Sequence, residues 1–456
     1  MAFIRQNYLF SLQDLLEMDQ ENRFDAIFNC IDITPLLKIV FPKYHYGPGA
    51  PVRNDHAAML YSLFARIIER IPTIKDLVRR LKHDALFRWC CGFDVGQRVP
   101  SEASYSRMMT KLSAHPHVLQ DVQRELVQRA IQEGFLTEDT IAIDSTHIEA
   151  RERAPYTTST KKSEQNSTKK KRGRKPKAER ALLLAEKVAE LASRPLYEQG
   201  IVAQLEALLD ILVQEMPTTP QWGCKKNSET QQMYWYGYKL HLLVGAQNQY
   251  ILGSMISSAN LNDGKAAIPL LKQFQQCYPD FKLAFATMDA GYDHEPIYRQ
   301  LNKMKTSGII AYNRRREPSP IGCDEHFAPV CIKQHSYRYD SYDSTYETIK
   351  YTEPKECSTC PFAAQGECQK VYKIKITDDL RRYCAPARGS AKWKLIYKRR
   401  TAVERVNAYL KQFFGIENIR YRTGKRAKMQ MDMTTLVYNA LCLAKDRLNQ
   451  QLQEGE

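Results

Sequence analysis

Apolar residues recur at helical spacing in the first quarter of the chain and at strand-like density in its middle. Leu60, Leu63, Phe64, Ile67, Ile68 and Ile71 follow i, i+3, i+4, i+7, i+8 and i+11, which predicts an amphipathic helix. Pro72-Thr73 stops it and caps a second helix, predicted to run without a break to Gly92. A third begins near Ser101, and another covers roughly 118–134. Downstream, IAID (141–144) and FATMD (285–289) are short apolar runs bounded by turn residues, and each ends in an aspartate. YWYGYKLHLLVG and YILGSMISSANL predict two strands, with Gln247-Asn248 in the turn. Helix 264–276, strand 282–288, helix 294–304 and strand 307–311 follow. The order β, helical insert, β, β, α, β, α, β and a closing helix predicts a mixed α/β layer fold.

The pattern breaks at two places. Residues 150–180 are polar and rich in Lys, Ser and Thr, as in a disordered linker. Residues 180–215 are rich in Leu, Ala and Glu and predict a helical hairpin broken at Arg194-Pro195. Its leucine stripe is too short for sustained heptads, which predicts packing rather than a dimer zipper. Residues 313–390 carry many Tyr, Cys and Pro and little helical period, which predicts a β-rich or irregular insertion. Four parts follow: a helical region 1–135, a first core part 136–312, a Cys-rich insertion 313–390 and a closing core part 391–456.

YKRRTAVERVNAYLK (397–411) reads as one helix with Arg400, Glu404 and Lys411 on one face. Asp144 and Asp289, each at a strand end, and Glu404 supply three carboxylates from separate parts of the fold. Hard oxygen ligands of this kind suit Mg²⁺ or Mn²⁺, and two such ions serve phosphodiester chemistry.

The triad, this helix, DAGYD around Asp289, YGYKLHLLV (236–244) and SANLNDGKAAIPLL (258–271) occur in family order. Together they resemble the DDE transposases of bacterial insertion sequences over roughly residues 50–445. The resemblance implies an RNase H-like catalytic core with an N-terminal helical, DNA-binding domain and an insertion before the glutamate helix. It implies a catalytic triad of Asp144, Asp289 and Glu404 holding two Mg²⁺ or Mn²⁺ ions. It implies cleavage at the element's terminal repeats, strand transfer into target DNA and a homodimer that holds two ends. Tyr397, Arg400 and Lys411 would then position the DNA backbone. The rivals are a metal-dependent nuclease without strand transfer and a catalytically silent DNA-binding regulator.

Charge agrees with a polyanion partner. The net charge is +16, and 161–180 holds ten Lys/Arg against two acids while 392–428 holds twelve against two. These stretches exceed the whole surplus, a nucleic-acid footprint whose affinity should fall with salt. Within the first lies KKKRGRKPK (169–177), where Arg172-Gly173-Arg174 resembles an AT-hook. It reads either as a minor-groove contact or as a plain basic tether. The N-terminal helices, with Arg79, Arg80, Lys82, Arg107 and Lys111, read either as a DNA-binding bundle or as a domain that only packs on the core. No run of eighteen apolar residues and no secretory pattern occur, so a cytoplasmic, nucleoid-associated protein is expected.

KECSTCPFAAQGEC gives a C-x₂-C-x₇-C arrangement. Cys357, Cys360 and Cys368, with Cys331 as fourth ligand and Cys323 and Cys384 as competitors, form a structural zinc set or remain packed thiols. Asp263 and Asp293 read as turn or cap residues and His241 as a sheet histidine. His147, on the strand face opposite Asp144, reads as no direct metal ligand. Lys239 and the aromatics 234–238 read as a DNA contact or an exposed sheet face.

Overall fold

The computed structural model describes residues 23–40, 54–94, 96, 98–155, 176–226, 231–318 and 320–454. The AT-hook-like segment, with Arg172 and Arg174, lies outside the described residues.

Six strands form one sheet: β1 (Thr140–Glu149), β2 (Gln221–Lys226), β3 (Gln232–Gly245), β4 (Ile251–Ser258), β5 (Phe285–Met288) and β6 (Ser307–Ile310). β1 lies antiparallel to β3, with Ile141 opposite Gly245 and Glu149 opposite Gly237. β3 carries β4 along Tyr238–Val244 and β2 along Gln232–Gly237, both on the edge away from β1. β5 runs parallel to β1, and β6 parallel to β5. The order β4-β3-β1-β5-β6 is that of the expected RNase H-like sheet. β2 is an addition that the hydrophobic pattern did not announce, since QWGCKK buries only Gly223.

Strand alternation divides two cores. Ile141 and Ile143 face the apolar mass formed with the N-terminal helices. Ala142 and Ile148 face the opposite way, against Ala402, Val403, Val406 and Leu410 of the helix Thr401–Phe414. That helix ends at Gly415, whose φ of +62° is a left-handed cap that glycine adopts without a Cβ penalty.

The N-terminal helices share a continuous core with the sheet through the long helix Gly424–Glu454. The packing role read from their sequence is therefore present. The predicted helix 73–92 is divided at Asp84, which has extended backbone and accepts a hydrogen bond from the Phe87 N–H at 2.8 Å. Ile74–His83 and Ala85–Cys90 result.

The insert after β1 is a helix, Lys177–Ser193, then a turn and the short helix Leu209–Glu215. The leucine stripe read as packing is a correction: Leu182, Leu184 and Leu191 are exposed. Periodicity marks an apolar face but not what covers it. The second half does pack, because Lys272 donates to the Gln204, Leu205 and Ala207 carbonyls at 2.6–3.0 Å.

The insertion folds as a separate three-stranded antiparallel sheet of β7 (Arg338–Asp343), β8 (Thr348–Thr352) and β9 (Val371–Lys375). Its buried apolar set is small: Ala328, Tyr337, Ile349, Tyr351 and Ala387. Arg381 ties it to the core through an ion pair with the fully buried Asp293 at 2.8 Å, and a second pair with Glu317, within the insertion, holds the arginine in place.

Candidate active site

Strand register brings the two aspartates together. β1 and β5 pair through Ala142 opposite Thr287 and no further. Two residues on, Asp144 and Asp289 occupy equivalent positions on neighbouring parallel chains, where strand spacing is about 4.8 Å. Asp144 lies in mid-strand, not at a strand end as expected, because β1 runs on to Glu149. What ends there is its neighbour β5, so the edge of β1 is open at Asp144. Asp144 shares the strand face of Ala142 and Ile148, the face covered by the helix Thr401–Phe414.

Asp289 opens the tight turn Ala290–Tyr292, and its Oδ1 accepts from the Gly291 N–H at 2.8 Å. A Cβ on Gly291 would stand 3.0 Å from that oxygen, so glycine leaves the carboxylate its place.

The single helix predicted for 397–411 is two helices, Ala391–Lys398 and Thr401–Phe414. The break at Arg399-Arg400 leaves Arg400 at the cap, one turn before Glu404. Its guanidinium bonds the Glu404 carboxylate at 2.8 Å. The same positive charge reaches Asp144 and Asp289, where it offsets part of the rise in pKa that burial imposes. Arg400 is thus the common neighbour of all three acids. Its Nε is buried without a partner, a donor free for an anion. Tyr397 stacks on Trp393, with centroids 4.9 Å apart, and its ring lies 5.8 Å from the Arg400 guanidinium.

Burial dominates the electrostatics. It pushes Asp144 from its ordinary value of 3.8 up to about 7, with the Asp289 charge adding to the rise. Asp289 is raised by burial and by the Asp263 charge. Burial and the charges of Asp263, Asp144 and Asp289 hold the Tyr292 hydroxyl firmly protonated.

Several functional neighbours escaped the sequence reading. Asp263 is no cap, because its side chain bonds no helix N–H. It accepts instead from Ser145 Oγ and Lys239 Nζ, both at 2.9 Å. Lys239 is therefore engaged with Asp263 and is not a freely exposed sheet residue. Asp293 is no cap either. It accepts from Tyr298, from the Asn313 N–H and from Arg381. His241 is the sheet histidine expected, fully buried and bonded to Ser257 at 2.8 Å.

His147 joins two cations. Its Nδ1 lies 2.9 Å from Lys225 Nζ and 3.3 Å from Lys411 Nζ. Burial and both lysine charges push its pKa down to about 4, so the ring is a neutral acceptor. Lys411 was legible in its motif. Lys225 was not, since β2 has no apolar period to place it.

Among the described residues, no three His, Cys, Asp or Glu side chains form a closed metal centre. The donors of the acid site nevertheless fit a hard divalent cation: two half-buried aspartates at matched positions, each with its pKa raised chiefly by burial, and a carboxylate on the covering helix. The four cysteines of the proposed zinc set line one cavity in the insertion. Cys323 and Cys384 do not.

Residues 209–440 match the family model described as a transposase DDE domain, which covers half of the chain. This chain belongs to the DDE transposase family. A second match, described as a transposase domain (DUF772), covers residues 10–111 of the transposase. The DDE match takes in Asp263, Asp289 and Glu404, and Asp144 lies upstream of it. No curated protein matches the transposase. Among solved structures it is similar to a piggyBac transposase in a synaptic complex with hairpin DNA. That likeness has 11% identity and a TM-score of 0.37, and it covers 96% of this chain and 76% of that chain. The transposase is an enzyme of the polynucleotidyl transferase type acting on DNA, in a family that generally uses divalent metal ions. Among its described residues no helix is long and apolar enough to cross a membrane.

Proposed function

We propose that Asp144, Asp289 and Glu404 are the catalytic carboxylates of this transposase, and that it cuts DNA at the ends of its element and joins the freed 3′ ends to target DNA. The supporting observation is the matched position of Asp144 and Asp289 on β1 and β5, with Arg400 linking Glu404 to both. Two Mg²⁺ or Mn²⁺ ions held by these acids would activate the attacking oxygen and stabilise the leaving one. Water attacks the scissile phosphodiester first and releases a 3′-hydroxyl. That hydroxyl then attacks a target phosphodiester, forming one P–O bond as another breaks. No covalent link to protein is needed.

The chain's own residues would hold the phosphates. Arg400 suits bidentate phosphate contact. Lys411 and Lys225 converge on His147 as a cation pair beside Asp144, whose charge reaches both. Tyr397, backed by Trp393, offers a rigid face against the strand. Holding two ends at once calls for a homodimer. In this reading residues 1–135 engage the element's terminal repeats, 136–312 and 391–456 form the catalytic core, and 313–390 form a buttress.

The test uses labelled DNA carrying the element's ends. Asp144→Asn, Asp289→Asn and Glu404→Gln should each lower Mg²⁺-dependent cleavage by about 10³-fold or more while DNA binding persists. Full activity in any of the three would remove that residue from the triad. Nicked products that never become joined would favour a nuclease.

A further inference from the structure

The insertion's sheet has little core of its own, and the span from β8 to β9 is its weakest part. Residues 353–370 hold only the turn Lys355–Thr359 and the single helical turn Pro361–Ala364, neither with a buried residue. A lobe of this size with so few buried apolar groups needs a cross-link of another kind. Three of its cysteines, Cys357, Cys360 and Cys368, lie in this span. Cys331 comes from a separate tight turn, closed by the Gln334 N–H on the Cys331 carbonyl at 2.8 Å and the Cys331 N–H on the His335 carbonyl at 2.9 Å.

All four line one cavity of about 160 Å³. All four are free and half-buried, with no disulfide among them. The Cys360 N–H bonds the Cys357 carbonyl at 3.3 Å, closing the C-x₂-C turn toward the cavity. Tyr337, from the buried set of the lobe, donates to the Gln369 carbonyl at 2.6 Å and pins the chain beside Cys368. The other insertion cysteines stand apart. Cys384 is buried against the Pro386 carbonyl at 3.3 Å, and Cys323 sits in a separate bridge with Pro329.

We infer that Cys331, Cys357, Cys360 and Cys368 form a structural zinc site that ties the β8–β9 span to the turn at Cys331. Soft thiolates select zinc over the hard cations that suit the acid site. Four protein ligands leave no open position, so this ion takes no part in phosphodiester chemistry. The thiols surround the cavity without forming a closed centre. Zinc would draw the sulfurs to about 2.3 Å and order the span around it. The consequence for the enzyme runs through Arg381, which follows β9 and pairs with Asp293, four residues past Asp289. The ion would steady the buttress behind the second catalytic aspartate.

The test is elemental analysis of the full-length protein purified without chelator. It should carry about one zinc per chain. Cys360→Ser and Cys368→Ser should lose it, and Cys323→Ser and Cys384→Ser should keep it. Should the serine variants fail to fold, the wild-type protein still decides. After chelator treatment and cobalt(II) addition, it should show the intense near-ultraviolet thiolate charge-transfer band of a tetrahedral site. Chelator treatment should also speed proteolysis within 353–370. Absence of zinc together with no cobalt band would overturn the site, as would zinc retained in both Cys360→Ser and Cys368→Ser. Neither result depends on cleavage activity, so the catalytic assignment stands or falls separately.

Discussion

The guanidinium of Arg400 bonds the carboxylate of Glu404 at 2.8 Å across one helical turn, with Asp144 and Asp289 within reach of the same charge. An exposed i, i+4 pair is usually worth little. Here the arginine is half-buried and stands among three acids, so it does more than staple a helix. Arg400→Ala should slow cleavage by about 10²-fold at saturating Mg²⁺, the scale of losing one positioned donor to a reacting phosphate. Arg400→Lys should recover only part, because an ammonium cannot make the forked contact. An unchanged rate in Arg400→Ala would reduce the pair to a helix-surface contact.

Asp144 should weaken the fold it sits in. Burial raises its pKa from 3.8 to about 7. A raised folded-state value means the acid's stabilising contribution is complete below the unfolded pKa and is lost as pH rises through the folded one. Metal-free Asp144→Asn should therefore match wild type near pH 4 and gain steadily to pH 7 or above. At about 1.4 kcal/mol per unit, and with part of the carboxylate open to solvent, the gain should be on the order of 2 kcal/mol. Thermal melts in chelator across that range measure it, and a pH-independent difference would contradict the assignment.

Lys225 and Lys411 should act on DNA affinity through salt. If each neutralises one phosphate, alanine at either should lower the slope of log affinity against log salt by roughly 0.9. Their shared partner His147 stays neutral, so the effect should hold unchanged between about pH 6 and pH 8. Filter binding at several salt concentrations is the measurement. A slope unaffected by Lys225→Ala would leave that lysine as a structural partner of His147 alone.

Deleting residues 161–177 should weaken DNA binding and flatten its salt dependence, since the segment carries much of the positive surplus. If Arg172 and Arg174 enter a minor groove, the loss should be greater on A·T-rich than on G·C-rich DNA. Equal losses would leave a phosphate tether.

The sequence alone determined the kind of molecule this is. The β1, β3, β4, β5, β6 succession was legible because buried strands must be apolar and turns must be polar, and both leave a local mark. Asp144, Asp289, Glu404, Arg400 and Lys411 could be named because they sit in short motifs. Tertiary structure alone decided which of these residues meet. The register that matches Asp144 with Asp289 depends on hydrogen bonds between segments about 145 positions apart, which no window of sequence contains. The same holds for Lys225, placed by an edge strand without apolar alternation, and for Asp263, whose partners Ser145 and Lys239 lie on other strands. The break at Arg399-Arg400 was hidden because helical propensity runs straight through it. The exposed leucines of Lys177–Ser193 erred the other way, since a periodic stripe states a preference for burial and the fold decides whether anything arrives to bury it.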